Sequence, residues 1–188
     1  MNHAQRTARA ASAAPIIALM NSRPHAVYGD RLDDAAYVST LLASFDVDAT
    51  EAPDAVAELR SLRAALEPAI TADDEASVAD GWRAVSRFSS DVLFRFQYAA
   101  DGAPILEHAS GGELRARMLT ALTQLLESGD WSRIKECANE ECKSLFLDDT
   151  KNRSQRWHSY ETCGNKINAA AHRARRTAAN AGSSPEHA

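Results

Sequence analysis

Cys137, Cys142, His158 and Cys163 constrain this chain more than any other feature of its sequence. Cys137 and Cys142 enclose four residues, fifteen more lead to His158, and a further four lead to Cys163. These are all the cysteines of a 188-residue chain, and they fall within 27 positions of each other. Two close pairs joined by a loop are how a structural zinc site is written, because tetrahedral Zn²⁺ needs four N or S donors converging on one point. Three thiols cannot complete that set, and His158 stands where the fourth donor is missing. The competing reading is three ordinary buried thiols. A disulfide framework fits poorly, since the number of cysteines is odd and the chain is long enough to build a core without one. Among the other histidines, His172 is nearest, but on a helix it would lie about 13 Å along the axis from Cys163. His3, His25, His108 and His187 have no spacing argument behind them.

Charge is distributed unevenly. From Trp131 onward ten Lys/Arg face seven Asp/Glu, a balance of +3, which leaves −8 for the rest of a chain whose net charge is −5. Between Lys151 and Arg176 the cations Lys151, Arg153, Arg156, Lys166, Arg173, Arg175 and Arg176 face a single acid, Glu161. An acidic body with a basic end points to a polyanionic partner for that end, against the simpler reading of a solvated basic helix. No segment approaches the ~20 apolar residues of a membrane span. Arg6 and Arg9 followed by Ile16 to Met20 make only a weak signal-peptide pattern. Thiols arranged for metal fit a reducing compartment, so a cytoplasmic location is expected.

Residues 15–130 read as a mainly helical domain with one small hairpin. Residues 1–14 read as a mobile arm and 15–21 as a short helix or strand, broken before Pro24. Leu32, Ala35, Ala36, Leu42 and Phe45 predict a helix over about 31–45. A second helix opens at Pro53 and Asp54, with Val56, Leu59, Leu62, Leu66 and Ile70 as its core stripe and Pro68 ending or bending it. The acids Asp73, Asp74 and Glu75 open a third, where their charge complements the helix dipole rather than serving acid–base chemistry. Phe94, Phe96 and Tyr98 in alternation, followed by Asp101-Gly102, predict a β-hairpin across 92–107. Gly111-Gly112 then leads into a helix carrying Leu114, Met118, Leu122 and Leu125, stopped by Gly129. The chain has no Gly-rich phosphate loop, nucleophile elbow or HExxH motif, and an enzyme is not expected. The ends, 1–14 and 178–188, are expected to be flexible.

The segment 131–177 reads as a small zinc module. Leu145-Phe146-Leu147 is a short strand, Trp157 supplies a large apolar contact, and Ser159 is a good N-cap for a helix reaching about Thr177. Cys163 would ligate from that helix's first turn. A knuckle, a short hairpin and a ligating helix describe a treble-clef-like finger. Cys137-Ala138-Asn139 with Cys142, then Phe146, Asp149, Lys151-Asn152-Arg153-Ser154, Arg156-Trp157-His158-Ser159, Cys163-Gly164-Asn165-Lys166 and His172 to Arg176 strongly resemble the CGNR zinc-finger family. In that family the finger follows a helical domain called ABATE, and a role in stress-induced transcription regulation is proposed. The resemblance over 15–130 rests on Ala18 to Pro24 and the helical layout. This chain departs from the pattern twice: His158 replaces the usual third cysteine, and Lys166 replaces the name-giving arginine, keeping its charge but losing its fork.

The resemblance implies one structural Zn²⁺ and a DNA-binding regulator. Lys151, Arg153, Arg156, Asn165, Lys166, Arg173, Arg175 and Arg176 are the candidate DNA contacts. The N-terminal domain would dimerise or sense a small-molecule effector. The alternative is a zinc-stapled structural or protein-interaction domain whose basic helix docks on an acidic partner or on the acidic body itself.

Overall fold

The structure is a computed structural model that describes residues 3–24, 29–48 and 54–181. It is mainly helical, with two small antiparallel hairpins. Pro53, His25 and His187 lie outside the described residues.

Helix α1 spans His3–Met20 and includes Pro15. From His3 onward the stretch read as an arm is therefore helical, and the second half of α1 is held by packing: Ala13, Ile16, Leu19 and Met20 are fully buried. The predicted helix over 31–45 divides in two. Asp30 caps a single 3₁₀ turn at Arg31–Asp33, and Asp34 accepts from the Ala36 and Tyr37 amides to start α2 at Ala35–Ser44. Two separate caps leave no room for one continuous helix. The Tyr37 hydroxyl donates to Ala18 O at 2.7 Å, tying α2 to α1.

Helix α3, Ala55–Thr71, buries Leu59, Leu62 and Leu66, as the apolar period predicts. It runs three residues past Pro68. A proline this close to the end removes one ladder bond, and the Ala72 amide still closes the turn on Pro68 O at 3.1 Å. Helix α4, Glu75–Phe88, starts at Asp74, whose carboxylate accepts from the Ser77 amide at 2.8 Å. It packs tightly on α3 through Gly81, where a Cβ would stand 2.8 Å from the Ala69 backbone nitrogen.

Strands β1, Leu93–Tyr98, and β2, Pro104–Ser110, pair antiparallel with Phe94 opposite His108 and Phe96 opposite Leu106. The hairpin reaches further than the 107 predicted for its end. At its base Gly111 has φ +102, and a Cβ there would meet Asp91 O at 2.4 Å, so only glycine turns the chain into α5. Helix α5, Glu113–Glu127, buries Leu114, Met118, Leu122 and Leu125 against α1.

A 3₁₀ turn at Asp130–Arg133 leads into β3, Ile134–Glu136, which pairs antiparallel with β4, Leu145–Leu147. Leu145 is buried in the same core cluster as the helices, with Ile134, Leu147 and Trp131 packed against it. Trp131 lies 5.0 Å from Trp82 of α4, ring centre to ring centre. The chain ends in a π turn at Tyr160–Gly164 and helix α6, Asn165–Ala181, rather than one helix from Ser159.

Candidate metal centre

The β3–β4 hairpin positions the first two sulfurs. Between Cys137 and Cys142 the chain folds back on Asn139, whose carbonyl accepts from the Cys142 and Lys143 amides at 2.8 and 3.1 Å. Lys143 completes the turn in the left-handed region, φ +52. The Cys137 amide then bonds Ser144 O at 2.8 Å, so the knuckle is continuous with the sheet. The other two donors come from the far end of the module. Ser159 caps the π turn by accepting from the Thr162 amide at 3.2 Å, which puts His158 just before the turn and Cys163 inside it. Beside Cys163, Gly164 leaves room for the Tyr160 ring, which a Cβ there would approach to 2.8 Å. Trp157 meets that ring edge-on at 5.8 Å.

One donor atom from each of Cys137, Cys142, His158 and Cys163 lies within 4.8 Å of every other. Nδ1 is the histidine nitrogen that faces the cluster, 3.3 Å from Cys142 Sγ and 3.7 Å from Cys163 Sγ. A tetrahedral ion with Zn–S of about 2.3 Å and Zn–N of about 2.05 Å separates N from S by about 3.6 Å. The two observed distances bracket that value, so the residues fit one zinc ion. Cys137 and Cys163 are buried, while Cys142 and His158 form the outer edge. Burial pushes the Cys137 thiol up, against the lowering effect of the Asn139 and His158 amides. Burial acts the same way on Cys163, but the Asn139 side chain and the neighbouring cysteines outweigh it and lower that thiol. Asn139 Nδ2 donates to Cys163 Sγ at 3.3 Å, while its own Oδ1 accepts from the Glu141 amide at 3.2 Å. Such outer partners fix ligand orientation.

The loop between β4 and His158 is organised by Asp148, which is fully buried. Its carboxylate accepts from Lys135 Nζ at 2.6 Å and from the Thr150 and Gln155 amides, both at 3.0 Å. Burial pushes its pKa up, but Lys135 and the Thr150 donors more than offset this and hold it at about 2. Two residues of the helical body grip the same module. Asn21 Nδ2 donates to Leu145 O at 2.9 Å, and Asn21 Oδ1 accepts from Leu145 N at 2.7 Å. Arg23 Nη2 reaches Glu136 at 2.7 Å and Lys143 O at 2.8 Å. Asn139, Asn21 and Arg23 are not usual zinc ligands, the Asp148 carboxylate is taken up by Lys135 and the Thr150 and Gln155 amides, and spacing alone singles out none of the four. Asn139, Asn21 and Arg23 do fall in the stretches that carry the family resemblance, and Asp148 does not.

The candidate DNA contacts fall into two groups, all exposed. Lys151, Arg153 and Arg156 lie in the loop, with the Arg156 guanidinium 5.3 Å from the Trp157 ring centre. Asn165, Lys166, Arg173, Arg175 and Arg176 lie on α6. At 3.6 residues per turn, Asn165, Lys166, Arg173 and Arg176 share an arc of about 100°, with Arg175 about 80° beyond Asn165. Ile167 and Ala171, on the opposite side, are half-buried. Lys166 forms an ion pair with Glu141 of the knuckle. Among the described residues no carboxylate pairs with Lys151, Arg153, Arg156, Arg173, Arg175 or Arg176.

Residues 133–176 match the sequence model of the CGNR zinc finger. The match starts one residue before β3 and ends within α6, so it takes in the metal cluster and the whole basic segment. No curated protein matches the chain. No helix of the described residues is long and apolar enough to cross a membrane.

Proposed function

We propose that the CGNR zinc finger of this chain binds DNA, and that the chain is a transcription regulator of the stress-response type, working in the cytoplasm. The observation that carries this reading is the exposed cationic surface formed by the 151–156 loop and α6, where six cations without a carboxylate partner among the described residues are left to neutralise phosphates. The zinc is structural: four protein donors complete its tetrahedron, whereas a catalytic zinc keeps one position for water. Bound there, the ion cross-links the β3–β4 knuckle to the start of α6 and so sets the direction of the basic helix. No catalytic role is assigned to the chain. Residues 15–130 act as an ABATE-like domain that dimerises or senses a small-molecule effector, and 131–177 as the finger.

The test is fluorescence anisotropy of the zinc-loaded protein on duplex DNA between low and physiological salt. If about five phosphates are neutralised, affinity falls roughly 500-fold between 50 and 200 mM salt. Arg173/Arg175/Arg176→Ala removes three of those contacts and flattens the slope. Absence of binding at low salt overturns the proposal. A second reading, a zinc-stapled interaction domain, is favoured by one specific observation: Asn21 and Arg23 anchor the module to the helical body. That anchoring is compatible with DNA binding, and the salt titration separates the two.

A further inference from the structure

We propose that the β1–β2 hairpin is a self-association surface, and that its occupant is the hairpin of a second copy of this chain. This gives the dimerisation assigned above a location, and it does not depend on DNA binding by the finger. Leu93, Phe96, Tyr98, Ile105 and Leu106 are 46–72% exposed, and they are five of the seven large apolar side chains exposed among the described residues. They are concentrated on one element rather than scattered, which is what distinguishes a binding patch from ordinary surface apolarity.

The alternation of the strands sorts these side chains. Phe94, Phe96 and Tyr98 share a face with their partners His108, Leu106 and Pro104. Phe94 packs on Ala116 and Leu119 of α5, so this face looks towards α5 at the base of the hairpin. The same face continues along the hairpin, where Leu106 borders a cavity against Ala116 and Thr120 of α5 and Phe96 and Tyr98 are about 70% exposed. Among the described residues the sheet contains these two strands alone, so both its long edges are also unpaired. An isolated two-stranded hairpin is marginal in water, and an apolar strand edge is a template for further pairing.

The chemistry selects the occupant. On the opposite face Arg95 pairs with Glu107 at 2.8 Å, so the hairpin offers no free cation to a nucleic acid, an acidic peptide or an anionic membrane. Asp101 sits in the exposed turn, where insertion into lipid would desolvate its charge. A second hairpin supplies the two things missing here: backbone for the free edge and apolar surface for the open face. Phe96, Tyr98 and Leu106, the exposed side chains of the open face, present about 400 Å² per copy, so two copies bring together about 800 Å² of side chain, and the backbone of the paired edge supplies the rest of the about 1,200 Å² of a stable interface. The module carrying α6 packs on α1 and α3 rather than on the hairpin, so a dimer built this way keeps both fingers free.

The test is sedimentation equilibrium of the zinc-loaded full chain up to about 100 μM, a range that detects dissociation constants of order μM. The expected species has twice the 20.4 kDa chain mass. Phe96→Glu with Leu106→Glu, both on exposed positions, should raise the dissociation constant at least ~100-fold while leaving the circular dichroism melt in place. A monomeric wild type overturns the proposal, as does a dimer that survives the double substitution. Hydrogen exchange of the unaltered chain gives an independent readout. Amides of 93–98 or 104–110 should gain protection as concentration rises, and protection that is independent of concentration refutes a hairpin interface. DNA binding by a strictly monomeric chain would sink this inference and leave the finger's proposed role standing.

Discussion

Asn21→Ala tests how the zinc module is held to the helical body. The asparagine side chain presents one donor and one acceptor to the backbone of a single residue, Leu145, as a neighbouring strand would. Leu145 is 2% exposed, so water does not replace the lost partners without opening the contact. Each hydrogen bond contributes about 1 kcal/mol net, and each backbone group left unpaired in a buried place costs about 1–3 kcal/mol. Allowing for partial relaxation, the substitution should cost about 2–4 kcal/mol. For a chain of this size that lowers Tm by roughly 5–15 °C. The assay is urea unfolding of the zinc-loaded protein, followed by both far-UV circular dichroism and tryptophan fluorescence. Trp131 and Trp157 lie in the module and Trp82 in α4, so both proteins carry Trp82→Phe to make the fluorescence report on the module, while the helices dominate the dichroism. The two transitions should coincide in the wild type and separate in the variant, with fluorescence changing first. A loss below about 0.5 kcal/mol, within the range of an ordinary surface substitution, would refute the claim that this contact docks the module.

Three further outcomes follow from the same geometry. Asp148 has a pKa of about 2 against an ordinary 3.8, so its stabilisation is complete above about pH 4 and is lost as pH falls towards 2. The acid limb of stability should therefore flatten in Asp148→Asn, measured by urea midpoints from pH 6 to 2.5, and an unchanged limb would exclude Asp148 as its source. His158→Cys replaces a neutral donor with a thiolate, so the variant should hold one zinc by native mass spectrometry, with one more negative charge at the site; loss of the metal would show that the cage is shaped for imidazole. Gly164→Ala forces a Cβ to 2.8 Å from the Tyr160 ring and should cost about 1–3 kcal/mol with weakened zinc retention in a chelator competition, whereas a neutral effect would mean that the ring moves aside freely.

The metal cluster was legible in the sequence because coordination fixes donor types and tolerates few spacings. The apolar stripes of α3 and α5 were equally legible, since a period of three to four residues is a direct trace of which face is buried. Helix α1 was not. Its first half, up to Ala11, is rich in small residues and arginines, and the Arg9–Asp130 ion pair at 2.6 Å, across 121 positions of sequence, ties it to the rest of the chain. The break at Asp34 was missed for a different reason: Asp30 and Asp34 are both caps, and a window that scores apolar period passes over the polar residues that punctuate it. The anchoring role of Asn21 was invisible because it is defined by a partner 124 residues away.

The split between an acidic body and a basic end raises the question of why the two do not neutralise each other. An answer lies in where the acids are spent. Asp30 takes both forks of Arg63, which holds that carboxyl well below the usual carboxylate range, and Asp91 takes Arg115. The ion pair by which Arg23 of the body reaches the module runs the other way in sign, since its partner is the acid Glu136. At this contact a body cation meets a module acid, and the cations of the 151–156 loop and α6 lie outside it. Of the seven cations between Lys151 and Arg176, only Lys166 has a carboxylate partner among the described residues, and that partner, Glu141, belongs to the knuckle. Docking the basic helix on the acidic body would reverse this pattern, pairing the α6 arginines with acids of the helical domain. The observed pairing instead concentrates unneutralised positive charge on α6 and its preceding loop, within a Debye length of about 8 Å of solvent at physiological salt, where a polyanion is what it can attract.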